Sequence, residues 1–208
     1  ERHPRKTKSR RAEVREETDL IKAIEAVTFS KSDMIDSSHE VTVFRKPGRG
    51  FVVKGLKTPP EGQERTLRGY RVAEKLLGGL VADFVILRDI TINLDGRERS
   101  YASVIVQKEM RPLGEVLLQL GKTGNVAKAG SLLKEKARLD REVLRRGAYT
   151  DEIFFRQYGV TEKDEVVLID LGHVVDDPHK VTPGIFDPAY LPDAPIGLKH
   201  RLNKRGYS

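Results

Sequence analysis

FVVKGLK, residues 51–57, sets three apolar residues ahead of a lysine, and PGRG (47–50) stands directly before it. Pro47 fixes its own φ and the two glycines accept positive φ, so PGRG reads as a tight turn between two strands. The strand entering that turn is EVTVFRK (40–46), where Val41, Val43 and Arg45 alternate with Thr42 and Phe44. AVTF (26–29) reads as a further strand, and SKSDMIDSSH (30–39) as a polar loop after it. Residues 26–57 are therefore expected to form three antiparallel strands. Ahead of them, residues 12–25 carry a short helical stripe of Val14, Leu20, Ile21 and Ile24.

Downstream, TPPEGQ (58–63) reads as a breaker. ERTLRGYRVAEKLL (64–77) places Leu67, Tyr70, Ala73, Leu76 and Leu77 on one side of a helix that Gly78 and Gly79 end. DFVILRDITINL (83–94) and ERSYASVIVQKEM (98–110) form a second hairpin around an Asp95-Gly96 turn. A short helix (112–121) and a long one (126–147) follow. AYTDEIFFRQYGV (148–160) leads from a loop into a strand, and DEVVLIDLGHVV (164–175) is a buried strand interrupted by Asp170. Strands come first and helices mostly later, which is an α+β order.

The 208 residues carry 38 Lys+Arg against 31 Asp+Glu, a net charge of +7, and no cysteine. Disulfides, thiolate zinc sites and thiol nucleophiles are excluded. No apolar run approaches the ~20 residues of a membrane helix, and residues 1–11 lack the apolar stretch of a secretory signal. A cytoplasmic location is expected. Six bases and one acid lie in 1–11, and four bases and no acid in 196–208, which leaves the middle at −2. The basicity belongs to two tails, which can attract nucleic acid or an acidic protein, or serve as solvated ends.

Other chemistry-bearing residues are sparse. The five histidines are scattered, and neither H-x₃-H nor H-E-x-x-H occurs. His173, beside Asp170, Asp176 and Asp177, is the one local cluster with oxygen and nitrogen donors suited to Mg²⁺ or Mn²⁺. No Walker A sequence is present. Lys54, at the end of an apolar run, is a phosphate ligand if its strand walls a cleft, and otherwise an edge-strand lysine. Glu64 and Glu74 follow it on a helix and are candidates to pair with it. Asp170 ends a β-branched strand, where a carboxylate is costly unless paired or bound to a metal. A strand running into the polar IVQKEM (105–110) suits a backbone edge that reads a flat base.

In this order, FVVK, the helix after it, IVQKEM and LIDLG resemble the protein-kinase-like fold, in a minimal form similar to small-molecule and lipopolysaccharide kinases. The resemblance spans residues 26–175. It implies a two-lobed arrangement: an antiparallel N-lobe sheet with one C helix within 12–110, a reduced helical C-lobe in 111–175, and tails at 1–11 and 176–208. It implies ATP and Mg²⁺ as cofactors, with Lys54 on the α/β-phosphates and Glu64 or Glu74 holding it. Gln107 and Glu109 would lie in the hinge and Asp170 on the metal. Lys54 and Asp170 would face one cleft.

The departures are specific. No G-x-G-x-x-G precedes Lys54, and the serine-rich 30–39 stands where it would be, offering hydroxyl and N–H donors to phosphates. No H-R-D occurs. Aligning YGV (158–160) with the family's strand puts Gln157 at the metal-binding Asn position, and Asp151 or Glu152 where the catalytic base belongs. Only 36 residues follow Gly172, too few for a helical peptide-substrate platform. The implied activity is ATP/Mg-dependent phosphoryl transfer to an acceptor the sequence does not name, with a peptide substrate expected only if a partner supplies the surface. The alternative is a catalytically degenerate kinase-like scaffold that binds a partner through its basic tails.

Overall fold

Apolar alternation and turn chemistry produce eleven strands and three α-helices among the described residues, which in this computed structural model are 21, 22, 24, 26–150 and 155–177. The chain is an α+β protein. The described residues divide into two units, one of residues up to Gln63 together with Phe84–Glu109, the other of Glu64–Asp83 together with Met110 onward. No helix among them is long and apolar enough to cross a membrane.

The first unit is built on a six-stranded sheet in the order β1 (Thr28–Phe29), β5 (Phe84–Leu94), β6 (Arg97–Lys108), β4 (Phe51–Leu56), β3 (Val41–Arg45), β2 (Met34–Ser37). The hairpins β3–β4 and β5–β6 pair antiparallel in the registers their turns impose. Asp95 and Gly96 both take positive φ, the geometry that joins twisted strands through a two-residue loop. Phe29, Phe44, Val53, Leu87, Ile90, Ile92 and Val104 close into one core with Ile24 and Val27. The rings of Phe29 and Phe44 lie 5.3 Å apart.

Two expectations are corrected here. Residues 30–39 are not a loop throughout: Lys31–Asp33 form a 3₁₀ turn, and Met34–Ser37 form strand β2, antiparallel to β3. All four β2 residues are exposed, so no alternation betrays the strand. Residues 28–29 do not extend the antiparallel series. They pair parallel with β5 at the opposite edge of the sheet, where Phe29 enters the core. Asp33 links these pieces. Its carboxylate accepts from the Ser30 backbone N–H (2.8 Å), the Ser30 hydroxyl (2.9 Å) and the Lys46 ammonium (3.1 Å), and the same ammonium donates to the Thr28 carbonyl.

In the second unit, α1 (Pro60–Leu77) contributes its part from Glu64, burying Leu67, Tyr70, Ala73 and Leu77. This helix starts at Pro60, not after Gln63. Proline suits a first helical turn because its missing N–H is unpaired there anyway. The other helices are α2 (Leu113–Lys122) and α3 (Val126–Arg145), the latter capped where the Lys128 N–H donates to the Asn125 side chain. A small sheet orders β10 (Val166–Leu168), β9 (Tyr158–Val160) and β7 (Arg111–Pro112), and β8 (Tyr149–Thr150) pairs with β11 (Val174–Val175). The β9–β10 turn is held by Asp164, bonded to Lys128 (2.8 Å) and Arg111 (3.3 Å).

The donors on Asp33, the Ser30 backbone first, hold its carboxyl below the ordinary value. A depressed folded-state value contributes stability above the unfolded value of about 3.9, lost as pH falls below it. Asp33→Ala is expected to lower the urea midpoint at pH 7, and the difference from wild type to be smaller at pH 3. An equal difference at both pH values would show that the carboxylate charge has no part in it.

Candidate functional site

Lys54 sits on an interior strand. In register it lies between Val43 of β3 and Ile105 of β6, and it is half-buried. An exposed edge-strand lysine is thereby excluded. Because side chains alternate, Gln107, two residues beyond Ile105, shares the Lys54 face of the sheet. FVVK and IVQK, some fifty residues apart in the chain, thus meet in register: Val52 pairs with Gln107 and Phe51 with Lys108. Gln107 is 1% exposed, and its amide nitrogen has no hydrogen-bond partner among the described residues. A buried donor left so costs about 1–3 kcal/mol, which marks it as a place for an acceptor.

Glu109 answers differently. Its backbone N–H donates to the Gly50 carbonyl at 2.9 Å, and its carboxylate lies 3.9 Å from Arg45. The Glu109 amide is thus engaged within the sheet. The serines expected to offer donors to phosphate are also engaged locally. Ser30 bonds Asp33, and the Ser38 hydroxyl accepts from the N–H groups of Glu40 and Val41.

In the second unit the β9–β10 hairpin sets Gln157 against Ile169, the residue before Asp170. Tyr158 pairs with Leu168, and the Ile169 N–H donates to the Gln157 carbonyl at 2.8 Å. Gln157 closes a 3₁₀ turn (Phe155–Gln157) and is 1% exposed. Asp170 lies two residues beyond β10 and is exposed. The expectation that strand burial makes its charge costly is therefore wrong. The strand stops at Leu168, and the carboxylate reaches water.

The two residues after Asp170 are held against α1. A Cβ on Gly69 would run into the carbonyl oxygens of Leu171 and Gly172, and one on Gly172 would meet Thr66. Leu171 is fully buried. Glycine at 69 lets the backbone of LIDLG lie directly on the helix. Glu64, on the same helix, is ion-paired with Arg71, and Glu74 is exposed. His173 does not organise a metal centre, because no group of three or more His, Asp or Glu side chains converges among the described residues. Asp176 lies 4.0 Å from Arg68. Asp151 and Glu152 lie outside the described residues.

One buried polar network escaped the sequence reading. The Tyr158 hydroxyl donates to Asp140 (2.8 Å), whose other oxygen takes the Lys136 ammonium (2.8 Å), and that ammonium stands 4.3 Å from the centre of the Tyr158 ring. It ties α3 to β9, and so fixes the strand that carries Gln157. The available signal was the Lys136/Asp140 spacing of four on a helix; nothing marked Tyr158 as their partner. Comparison with protein-family models and with curated proteins finds no match to this sequence.

Gly69→Ala is expected to lower stability in urea unfolding, although alanine in a helix interior is otherwise favoured by about 0.5–1 kcal/mol. A gain in stability would mean that the 171–172 backbone moves away without cost. Tyr158 supplies a pH test. Burial, and then the Asp140 charge, push its phenol far above the ordinary value of about 10. A raised folded-state value contributes stability that is full below about pH 10 and lost as pH rises above it. Tyr158 should therefore ionise only on unfolding, and Tyr158→Phe should flatten the alkaline loss of stability. Ultraviolet titration in which all six tyrosines ionise near pH 10 with the fold intact would contradict this.

Proposed function

We propose that this chain is a minimal kinase-like domain that binds ATP with Mg²⁺ and transfers a phosphoryl group to an acceptor hydroxyl. The observation that carries this reading is the pairing of motifs within each unit: FVVK against IVQK in one, Gln157 against LIDLG in the other. The residues suit the ligands. The buried Gln107 amide nitrogen fits an acceptor nitrogen of a purine edge. The exposed Asp170 carboxylate is an accessible hard-oxygen ligand of the kind Mg²⁺ takes.

On this reading Lys54 holds the α/β-phosphates as a point charge, steadied by Glu64 or Glu74. Glu64 already balances Arg71, which leaves Glu74 the less committed of the two. Asp170 would hold the metal, with Gln157 assisting through an amide oxygen one methylene further from the backbone than an asparagine's. Mg²⁺, when bound, supplies charge neutralisation on the transferred group. Gly69 keeps the Leu171–Gly172 backbone seated, so Asp170 is presented from a fixed chain. Asp151 or Glu152 would orient the acceptor hydroxyl and take its proton. The alternative, a non-catalytic scaffold acting through basic tails, is favoured by the engagement of the Glu109 amide and of the serine donors.

Titration with ATP and Mg²⁺ should show saturable binding, weakened by both Lys54→Ala and Asp170→Asn. Asp151→Asn or Glu152→Gln should then lower turnover by about 10²–10⁴ while leaving binding intact. Equal affinity in wild type and both binding variants would remove the nucleotide from these residues. Binding without turnover, over hours and across hydroxyl acceptors, would move the assignment to the scaffold.

A further inference from the structure

The end of α3 carries Arg138, Arg141, Arg145 and Arg146 at spacings of three, four and one. On a helix these positions lie on one side of the last two turns. All four line a hollow of about 370 Å³ whose remaining lining is Leu80 and Glu142, a volume within the usual range for small-ligand sites. Four guanidiniums against Glu142 in the lining, with Glu135 bonded to Arg138 beside it, leave a net positive cluster.

Three of the four guanidiniums are held in place. Glu142 accepts from Arg145 through Nε and Nη2 (2.6 and 2.7 Å) and from Arg146 Nε (2.7 Å). Arg146 also donates to the Leu77 carbonyl at the end of α1 (2.8 Å). Glu135 grips Arg138 in the same forked way. These bonds leave further N–H groups on each fork. Arg141 is exposed and makes no ion pair or hydrogen bond among the described residues. Of the carbonyls at the helix end, which would repel an anion, those of Val143 and Leu144 are covered. The Gly147 N–H bonds Leu144 and the Ala148 N–H bonds Val143, with Gly147 at φ +73, a Schellman closure.

We propose that this hollow is a binding site for a small molecule carrying two or more phosphate groups, separate from the residues assigned to ATP. Planar forks that donate paired N–H bonds match phosphate oxygens better than point charges do. Fixing them in advance with carboxylates lowers the ordering cost of binding. A concave cluster at one helix end favours a compact ligand over a polymer backbone, which would call for a stripe of charge along a surface.

The test is calorimetric titration of the full chain with inorganic pyrophosphate at about 0.15 M salt, where surface attraction is screened beyond about 8 Å. Saturable 1:1 binding is expected, weakened at least ten-fold by Arg141→Ala and only partly restored by Arg141→Lys. Arg97→Ala, at the exposed start of β6 in the first unit, should change nothing. Loss of affinity equal in Arg97→Ala, or no loss in Arg141→Ala, would overturn the site. Arg141-dependent binding of a short DNA duplex that displaces pyrophosphate would overturn the small-ligand assignment in favour of a nucleic-acid surface. Lys54→Ala and Asp170→Asn separate this inference from the kinase-like reading. Pyrophosphate binding lost in those two and kept in Arg141→Ala would sink the hollow and leave the ATP assignment standing.

Discussion

Residues 103–107 of strand β6 are buried on both faces, and the first unit depends on how that is tolerated. Ser103, Val104, Ile105, Val106 and Gln107 are each no more than 4% exposed in sequence. A strand so placed has no water on either side for its backbone, so every peptide group has to be met by a neighbouring strand. The pairing with β4 and β5 runs through all five residues on at least one side. A shift of one residue would exchange the faces of every side chain, turning Lys54 and Gln107 toward the core that Val53 and Val104 occupy. The positions of the lysine and of the buried amide are thus consequences of a register enforced by backbone hydrogen bonding and apolar burial.

The second unit solves a different problem with less sheet. Strand β10 has three residues and β9 has three, too few to hold a loop by pairing alone. Other contacts supply the rest: the Ala82 N–H on the Leu168 carbonyl, the Asp164 turn bound by Lys128 and Arg111, and the Lys136–Asp140–Tyr158 network. A buried ion pair is weak evidence for stability, since desolvation offsets much of its attraction. Here it positions, because Asp140 reaches one strand of the hairpin from a helix that is itself anchored at both ends.

The hairpins were legible in the sequence because their determinants are local. PGRG and Asp95-Gly96 announce turns, and the residues beside them alternate. The helix of 64–77 was legible from its apolar side. What escaped was non-local or unpatterned. Strand β2 is exposed at every position, so burial leaves no period to read. Strand β1 finds its parallel partner some sixty residues downstream, which no turn signals. For the candidate site, the residue types at Lys54, Gln157 and Asp170 could be read, but the reason given for Asp170 could not survive, because where a strand stops decides whether an acid at its end is buried. The pairing of Tyr158 with Asp140 needed three-dimensional proximity that neither residue encodes alone.

The exposure of Asp170 bears on how a site of this kind works. A carboxylate that reaches water needs no partner to offset burial. Its position, however, cannot come from its own contacts. That falls to its neighbours: Ile169 bonded to the Gln157 carbonyl on one side, and Leu171 and Gly172 seated on Gly69 on the other. Gln107 is the reverse case, fully fixed by its strand and left with a donor unsatisfied. A metal ligand gains from staying solvated until the ion arrives, whereas a group that reads a base gains selectivity from being dry, because an unmatched ligand then leaves a buried donor unpaired. The two residues thus stand in opposite environments, exposed carboxylate and buried amide, which is what the proposed reading would ask of a group that binds charge and of one that reads hydrogen bonds.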